Sequence, residues 1–165
     1  MKNYDVIVIG AGTAGLSARK VISKHTQNYV VIDDGILGTT CARVGCMPSK
    51  ALIQVANDFH RRNSFQELGI AGSEALKVDT EKVMSHTRKL RDRFVRSVLG
   101  GMDDWKAQHF IGKRARFINQ NDIDLGDSKI SGNKIVIATG SSPVIPKPWQ
   151  EFSDFFIDSN SFFEM

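Results

Sequence analysis

Two groups of residues in this chain could do chemistry by type and spacing. Cys41 and Cys46 stand five positions apart, and Gly10-Ala11-Gly12-Thr13-Ala14-Gly15 spells G-x-G-x-x-G. Along a regular helix, five residues rise about 7.5 Å, beyond the reach of a disulfide, so a bridge between these thiols needs a loop or a distorted turn. Gly45, beside Cys46, makes such a bend cheap. A ring this small constrains the unfolded chain little, and off-ideal geometry raises the reduction potential. A bridge here suits turnover better than reinforcement; two inert, buried thiols are the plain alternative. Zinc is disfavoured, and no metal site is expected. There is no second cysteine pair, and His25, His60, His86 and His109 show no ligand spacing relative to the thiols.

The glycine pattern has its own chemistry. Gly10 allows a tight turn, Gly12 lets the backbone approach a pyrophosphate, and Gly15 lets helix and strand pack closely. Amides at the helix start, around Thr13 and Ala14, are then free to bind phosphate. Asp33 follows Gly15 by eighteen positions, where an acidic side chain accepts hydrogen bonds from a ribose; Asp34 is the substitute. The unit binds a dinucleotide but does not separate FAD from NAD, which share the adenosine diphosphate half.

These residues need elements to position them. Asp5 to Gly10 reads as a buried strand, Thr13 to about Lys24 as a helix and Tyr29 to Asp33 as a second strand. Strand, helix and strand in about thirty residues make a βαβ unit with parallel strands. The fold class is therefore α/β. Residues 34 to 50 form a Gly-rich connection, followed by a helix from about Pro48 to Arg62. A second long helix is capped by Asp79, lined by Val83, Thr87, Leu90, Phe94 and Val98, and stopped by Gly100-Gly101. Short strands follow at Ala115–Ile118, Ile123–Leu125 and Lys129–Ile130, then a buried strand at Ile135–Ala138. The tail carries Phe152, Phe155, Phe156, Phe162 and Phe163, which call for a packing partner that the chain stops before supplying.

Composition bounds the rest. The chain has 165 residues, 41% hydrophobic and 24% charged, which is globular and long enough for a core. No apolar run approaches a membrane span, and the N-terminus enters Val6-Ile7-Val8-Ile9 without a secretory signal, which places the protein in the cytoplasm. The net charge is +4 but uneven: residues 77 to 116 hold eleven Lys/Arg against five Asp/Glu, and residues 151 to 165 hold four acids and no base. Lys82, Arg88, Lys89, Arg91, Arg93 and Arg96 on the second long helix could in principle hold phosphates, but cations opposite an apolar stripe are usually a solvated face. No nucleic-acid or membrane partner is expected.

Gly38-Thr39-Thr40-Cys41-Ala42-Arg43-Val44-Gly45-Cys46-Met47-Pro48-Ser49-Lys50 resembles the redox signature of class I pyridine nucleotide-disulfide oxidoreductases, commonly G-G-T-C-x-x-x-G-C-x-P-S-K. Ile135-Val136-Ile137-Ala138-Thr139-Gly140 is similar to the family's later A-T-G segment beside the flavin nucleotide. The similarity spans residues 4 to 148, and Pro48-Ser49-Lys50 looks most like dihydrolipoyl dehydrogenases or mercuric reductases.

The resemblance implies a Rossmann-like FAD/NAD(P)-binding fold with a small β-meander, incomplete as an FAD domain. Residues 1–150 would be the N-terminal FAD-binding segment, and 151–165 the start of a connection to an NAD-binding domain. It implies FAD on the first βαβ unit and a Cys41–Cys46 disulfide against the flavin ring. Cys41 would be the interchange thiol and Cys46 the inner, charge-transfer thiol, with a low-pKa thiolate as nucleophile. Lys50 would sit near the ring, Thr40 and Ala115 would touch the cofactor through backbone, and Ala138, Thr139 and Gly140 would pass beside it. Electrons would run from a dithiol, lipoamide by resemblance, through the disulfide and FAD to NAD. Family enzymes are longer homodimers, and the dehydrogenases serve 2-oxo acid dehydrogenase complexes, so the 165 residues alone should not turn over. A rival reading is a non-catalytic, flavin-binding redox sensor. Two departures stand out. Thr39 replaces a glycine, and a β-branched residue would be strained there if the loop demanded positive φ. Arg43 replaces a common Asn and adds a cation between the cysteines.

Overall fold

The computed structural model describes residues 1–165. In chain order the elements are β1 (Lys2–Ile9), α1 (Thr13–Ile22), β2 (Tyr29–Ile32), α2 (Thr40–Arg43), α3 (Cys46–His60), α4 (Thr80–Gly100), α5 (Asp103–His109), β3 (Phe110–Ile111), β4 (Arg116–Phe117), β5 (Asp122–Asp124) and β6 (Lys129–Ile137), with four 3-10 segments between and after them. They form two compact units. The first comprises Met1–Thr39 and Ser97–Ser142, the second Thr40–Arg96 and Pro143–Met165.

The first unit is a six-stranded sheet in the order β3-β2-β1-β6-β5-β4. β3, β2, β1 and β6 run parallel, and β5 and β4 add an antiparallel meander. This is the mixed α/β, Rossmann-like architecture expected. All four residues of β2 are buried, as a strand covered on both faces requires. Val30 and Ile32 join Ile7, Ile123 and Leu125 in one core cluster, whereas Tyr29 and Val31 join Val8, Met102 and Trp105 in another. The period-2 alternation of the strand thus feeds two cores at once.

Several boundaries move. Lys129–Ile130 and Ile135–Ile137 are one strand, because Ser131-Gly132-Asn133 continues the ladder instead of turning, and Ala138 lies just past its end. Gly132 is required by close approach: a Cβ there would lie 2.8 Å from the Ile7 side chain. The end of β6 is also less buried than its apolar run suggests, with Ile137 66% exposed. α5 and β3 had no counterpart in the sequence reading. α5 seats Trp105 in the core, where its indole N–H donates to the Gly101 carbonyl at 3.0 Å and the Arg19 guanidinium stacks over its ring at 4.5 Å.

In the second unit α3 starts at Cys46, two residues before the expected boundary. Pro48 is tolerated because the first turn of a helix has no use for its missing N–H. Asp79 caps α4 as expected, its carboxylate accepting from the Lys82 amide at 3.1 Å. The aromatic tail divides. Phe163 is 4% exposed, so it finds its partner within the unit, while Phe155 is 85% exposed. Arg91 on α4 holds this terminus, donating to the Phe163 carbonyl at 3.1 Å and to Glu164 Oε1 at 2.6 Å, and Arg88 donates to the Met165 carbonyl. Two cations of the basic helix are therefore engaged with the chain's own tail. No helix is long and apolar enough to cross a membrane.

Candidate functional site

In the first unit the fingerprint loop leaves β1 with Gly10 at φ 107°, a left-handed conformation that favours glycine. A Cβ on Gly10 would meet the Ala138 carbonyl oxygen at 2.2 Å, and one on Gly15 would meet the Gly10 carbonyl oxygen at 1.8 Å. These two glycines are packing necessities. Gly12 is different: nothing lies within 4 Å of the place its Cβ would take. It opens α1 with no side-chain cap, so the first amides of that helix have no side-chain partner. Thr13 and Ala14, on the first turn, are exposed. Open space above uncapped amides is the shape a pyrophosphate needs.

A cavity of about 370 Å³ adjoins the loop, lined by Gly10, Asp33, Asp34, Ala115 and Thr139 together with Lys113 and Arg114. Asp33 accepts from the Ala11 amide at 2.5 Å and from the Gly35 amide at 2.7 Å, one on each carboxylate oxygen. An ionised carboxylate has about four acceptor positions, so capacity remains for ribose hydroxyls. Asp34 is exposed and lines the same space. The Ala138 amide donates to the Ile9 carbonyl at 2.7 Å, which sets the Ala138-Thr139-Gly140 segment beside the glycine loop, and Gly140 takes φ 71°. The residues present thus fit the adenosine half of FAD. Lys113 and Arg114 escaped the sequence reading, although they stand immediately before Ala115 in the basic run. Lys113 is bidentate to Asp127, at 2.6 and 2.5 Å.

In the second unit the two cysteines belong to different helical turns, Cys41 in α2 and Cys46 as the first residue of α3. The distorted turn that the spacing demanded is present. Gly45 makes it possible, since a Cβ there would sit 3.0 Å from the Thr40 carbonyl oxygen and 3.4 Å from Cys41 Cα. Cys41 is half-buried and Cys46 exposed. The Cys41 thiol is pushed above its ordinary value, chiefly by its hydrogen bond to Cys46, then by burial and by the Cys46 charge; a backbone hydrogen bond and the Lys50 ammonium pull the other way. The neighbouring sulfur thus stabilises the protonated form of Cys41. Lys50, exposed one turn into α3, acts on Cys41 through its charge. Ser49 Oγ donates to the Gly45 carbonyl at 2.6 Å and locks the start of the helix. Thr40 is exposed at the head of α2 and lines a separate cavity with Val44, Gly45 and Ser49. Thr39, just before it, has φ 64°, so the departure from glycine falls where the backbone is left-handed.

One chain thus carries a mostly parallel sheet with an open glycine loop and, at the start of α3, two neighbouring cysteines. The sequence pattern of the pyridine nucleotide-disulphide oxidoreductases matches residues 4–163, and the chain belongs to that family. Among curated relatives, it is 29% identical over 141 residues to the dihydrolipoyl dehydrogenase of Mycoplasma genitalium, covering 86% of this chain and 31% of the relative. It is 28% identical over 145 residues to the mercuric reductase of Lysinibacillus sphaericus, covering 88% and 26%. The chain therefore spans about a quarter to a third of the length of these relatives. Its fold is similar to that of the HOCl-induced flavoprotein disulfide reductase of Escherichia coli, solved as a Cu(II) complex, with a TM-score of 0.71 at 21% identity over 97% of this chain and 33% of that one.

Proposed function

We propose that these residues supply the FAD-binding segment and the redox dithiol of a flavoprotein disulfide oxidoreductase of the dihydrolipoyl dehydrogenase type. The observation that carries this reading is the placement of Cys41 in α2 and Cys46 at the start of α3, on either side of the tight turn at Gly45. In the forward direction a substrate dithiol attacks the Cys41–Cys46 disulfide at Cys41. That S–S bond breaks, the substrate's own S–S bond forms, and the pair is left as the dithiol with two electrons gained. Cys41, its thiol pKa raised by Cys46, keeps a proton. Cys46 sits at the positive end of the α3 dipole. FAD, when bound, would supply the two-electron acceptor between this dithiol and NAD⁺. Gly10, Gly12, Thr13, Ala14 and Gly15 hold its pyrophosphate and Asp33 its ribose, with Asp34 as a second acceptor. Ala115, Ala138, Thr139 and Gly140 line its path through backbone groups, and Thr40 and Lys50 serve the ring end. A dihydrolipoyl substrate, a homodimer and a 2-oxo acid dehydrogenase complex as partner belong to the same proposal, for a protein of the relatives' full length.

The test begins with the thiols. Mild oxidation by diamide should take the titratable thiols from two to none without forming dimers, and Cys41→Ser or Cys46→Ser should each prevent internal closure. Titrated FAD should bind in competition with ADP. Thiols that persist after oxidation, or FAD that ADP does not displace, would overturn the reading. At full length, reduction of NAD⁺ by dihydrolipoamide is expected; NADPH-dependent reduction of Hg(II) in its place would assign the mercuric reductase branch.

A further inference from the structure

The second unit contains a cavity of about 480 Å³ that the redox proposal does not use. Its walls are apolar: Leu52, Val55 and Phe59 from α3, Val83 and Met84 from α4, and Phe162 from the tail. The volume lies within the range of small-molecule sites. No carboxylate lines it, and its ionisable groups are His60 and Arg62. Arg62 is half-buried, and its guanidinium lies 4.0 Å from the centroid of the Phe59 ring. It enters none of the four ion pairs of the chain. Asp58, the nearest acid in sequence on α3, lies outside the lining and accepts from Gln54 at 3.0 Å. A partly desolvated cation with an aromatic face beneath it and no anion beside it is an incomplete arrangement. Guanidinium geometry matches a carboxylate through two parallel N–H donors.

We propose that this cavity binds a small amphipathic carboxylate, its unbranched acyl chain in the apolar space and its headgroup on Arg62. The apolar walls supply affinity through area removed from water, and Arg62 selects the anion over a neutral or cationic amphiphile of the same length. Neither cysteine lines the cavity, and its ligand is recognised by charge complementarity at one end and by apolar area at the other.

Octanoate is the probe. Calorimetric titration of the 165-residue protein should show saturable binding at one site. Octanol should bind at least about tenfold more weakly and octyltrimethylammonium more weakly still, since a charge-assisted pair is about twice as strong as a neutral one. Arg62→Gln should lower octanoate affinity about tenfold and leave octanol unchanged, with Arg62→Lys recovering part of the loss. Ala56→Trp, at an exposed α3 position on the cavity wall, should block all three ligands. The two alcohol and ammonium titrations use unaltered protein, so they decide even if a variant does not fold. Equal affinity for octanoate and octanol, tighter binding of the ammonium, or no saturable heat with octanoate would each overturn the proposal.

Discussion

Thr39 carries the one positive φ outside glycine, at 64°, immediately before the turn that bears Cys41. A left-handed conformation costs an L-residue about 1–2 kcal/mol, and replacing it by glycine returns about 0.5–1 kcal/mol to the unfolded chain as entropy. The difference favours the folded state of Thr39→Gly, by up to about 1.5 kcal/mol. Its urea midpoint should therefore rise at an unchanged slope, and a fall would show that the threonine side chain contributes more than its backbone strain costs. Cys41 gives a second test at this scale. Its raised pKa leaves a smaller thiolate fraction than an ordinary cysteine has at any pH below the midpoint. Alkylation of Cys41 by iodoacetamide should be slow at neutral pH, gain about tenfold per pH unit, and level off only above the ordinary cysteine value. Cys46→Ala removes the largest cause of the shift, so the profile should move to lower pH; an unmoved profile would place the cause in burial.

The β1–loop–α1 element concentrates three glycines with two different reasons to be glycine. Gly15→Ala would drive a methyl into the Gly10 carbonyl, at 1.8 Å, and should unfold the first unit or shift its helix. Gly12→Ala meets nothing within 4 Å and has φ −77°, so melting should stay within a few degrees of the parent while FAD and ADP affinity fall. If Gly12→Ala bound ADP normally, the loop would not be where the phosphates sit. This part of the fold was legible because a β-branched run, a glycine spacing and a terminal Asp33 act over short distances. Other parts were not. Ser131-Gly132-Asn133 has the composition of a turn, and long-range pairing with Asn3 and Tyr4 of β1 and with Asp122 of β5 keeps it in the strand. α5 has seven residues, too few for a period to show, and it is held by tertiary contacts of Trp105. Spacing showed that the thiols required a bend between them. It could not show that their mutual hydrogen bond raises Cys41, because that depends on which way two sulfurs face.

At the scale of the whole molecule, burial is unevenly shared. Among the buried hydrophobic core residues, only Ala42, Val44 and Phe163 belong to the second unit, with Pro48 and Thr87 buried beside them; the others lie in the first, where Ile7, Val8, Val31 and Ile32 are 0% exposed. The first unit also draws its chain from both sides of residues 40–96, so its sheet closes through the long-range pairing of β1 with β6. Local opening follows such differences, because amides exchange slowly where many apolar contacts must be lost together. Native-state hydrogen exchange should find its slowest amides in β1, β2 and the centre of β6. Those of α3 and α4 should exchange faster, and the exposed segment around Gly69 and Gly72 fastest of all. Adding FAD should slow the amides of the glycine loop and of Asp33 further, through mass action on the unit that holds its adenosine half. Oxidising the thiols should instead slow the turn between Cys41 and Cys46, which a covalent ring holds closed. Exchange in α3 as slow as in β1 before either treatment would mean that the dithiol helix has a stabilising core beyond the few buried residues of its own unit.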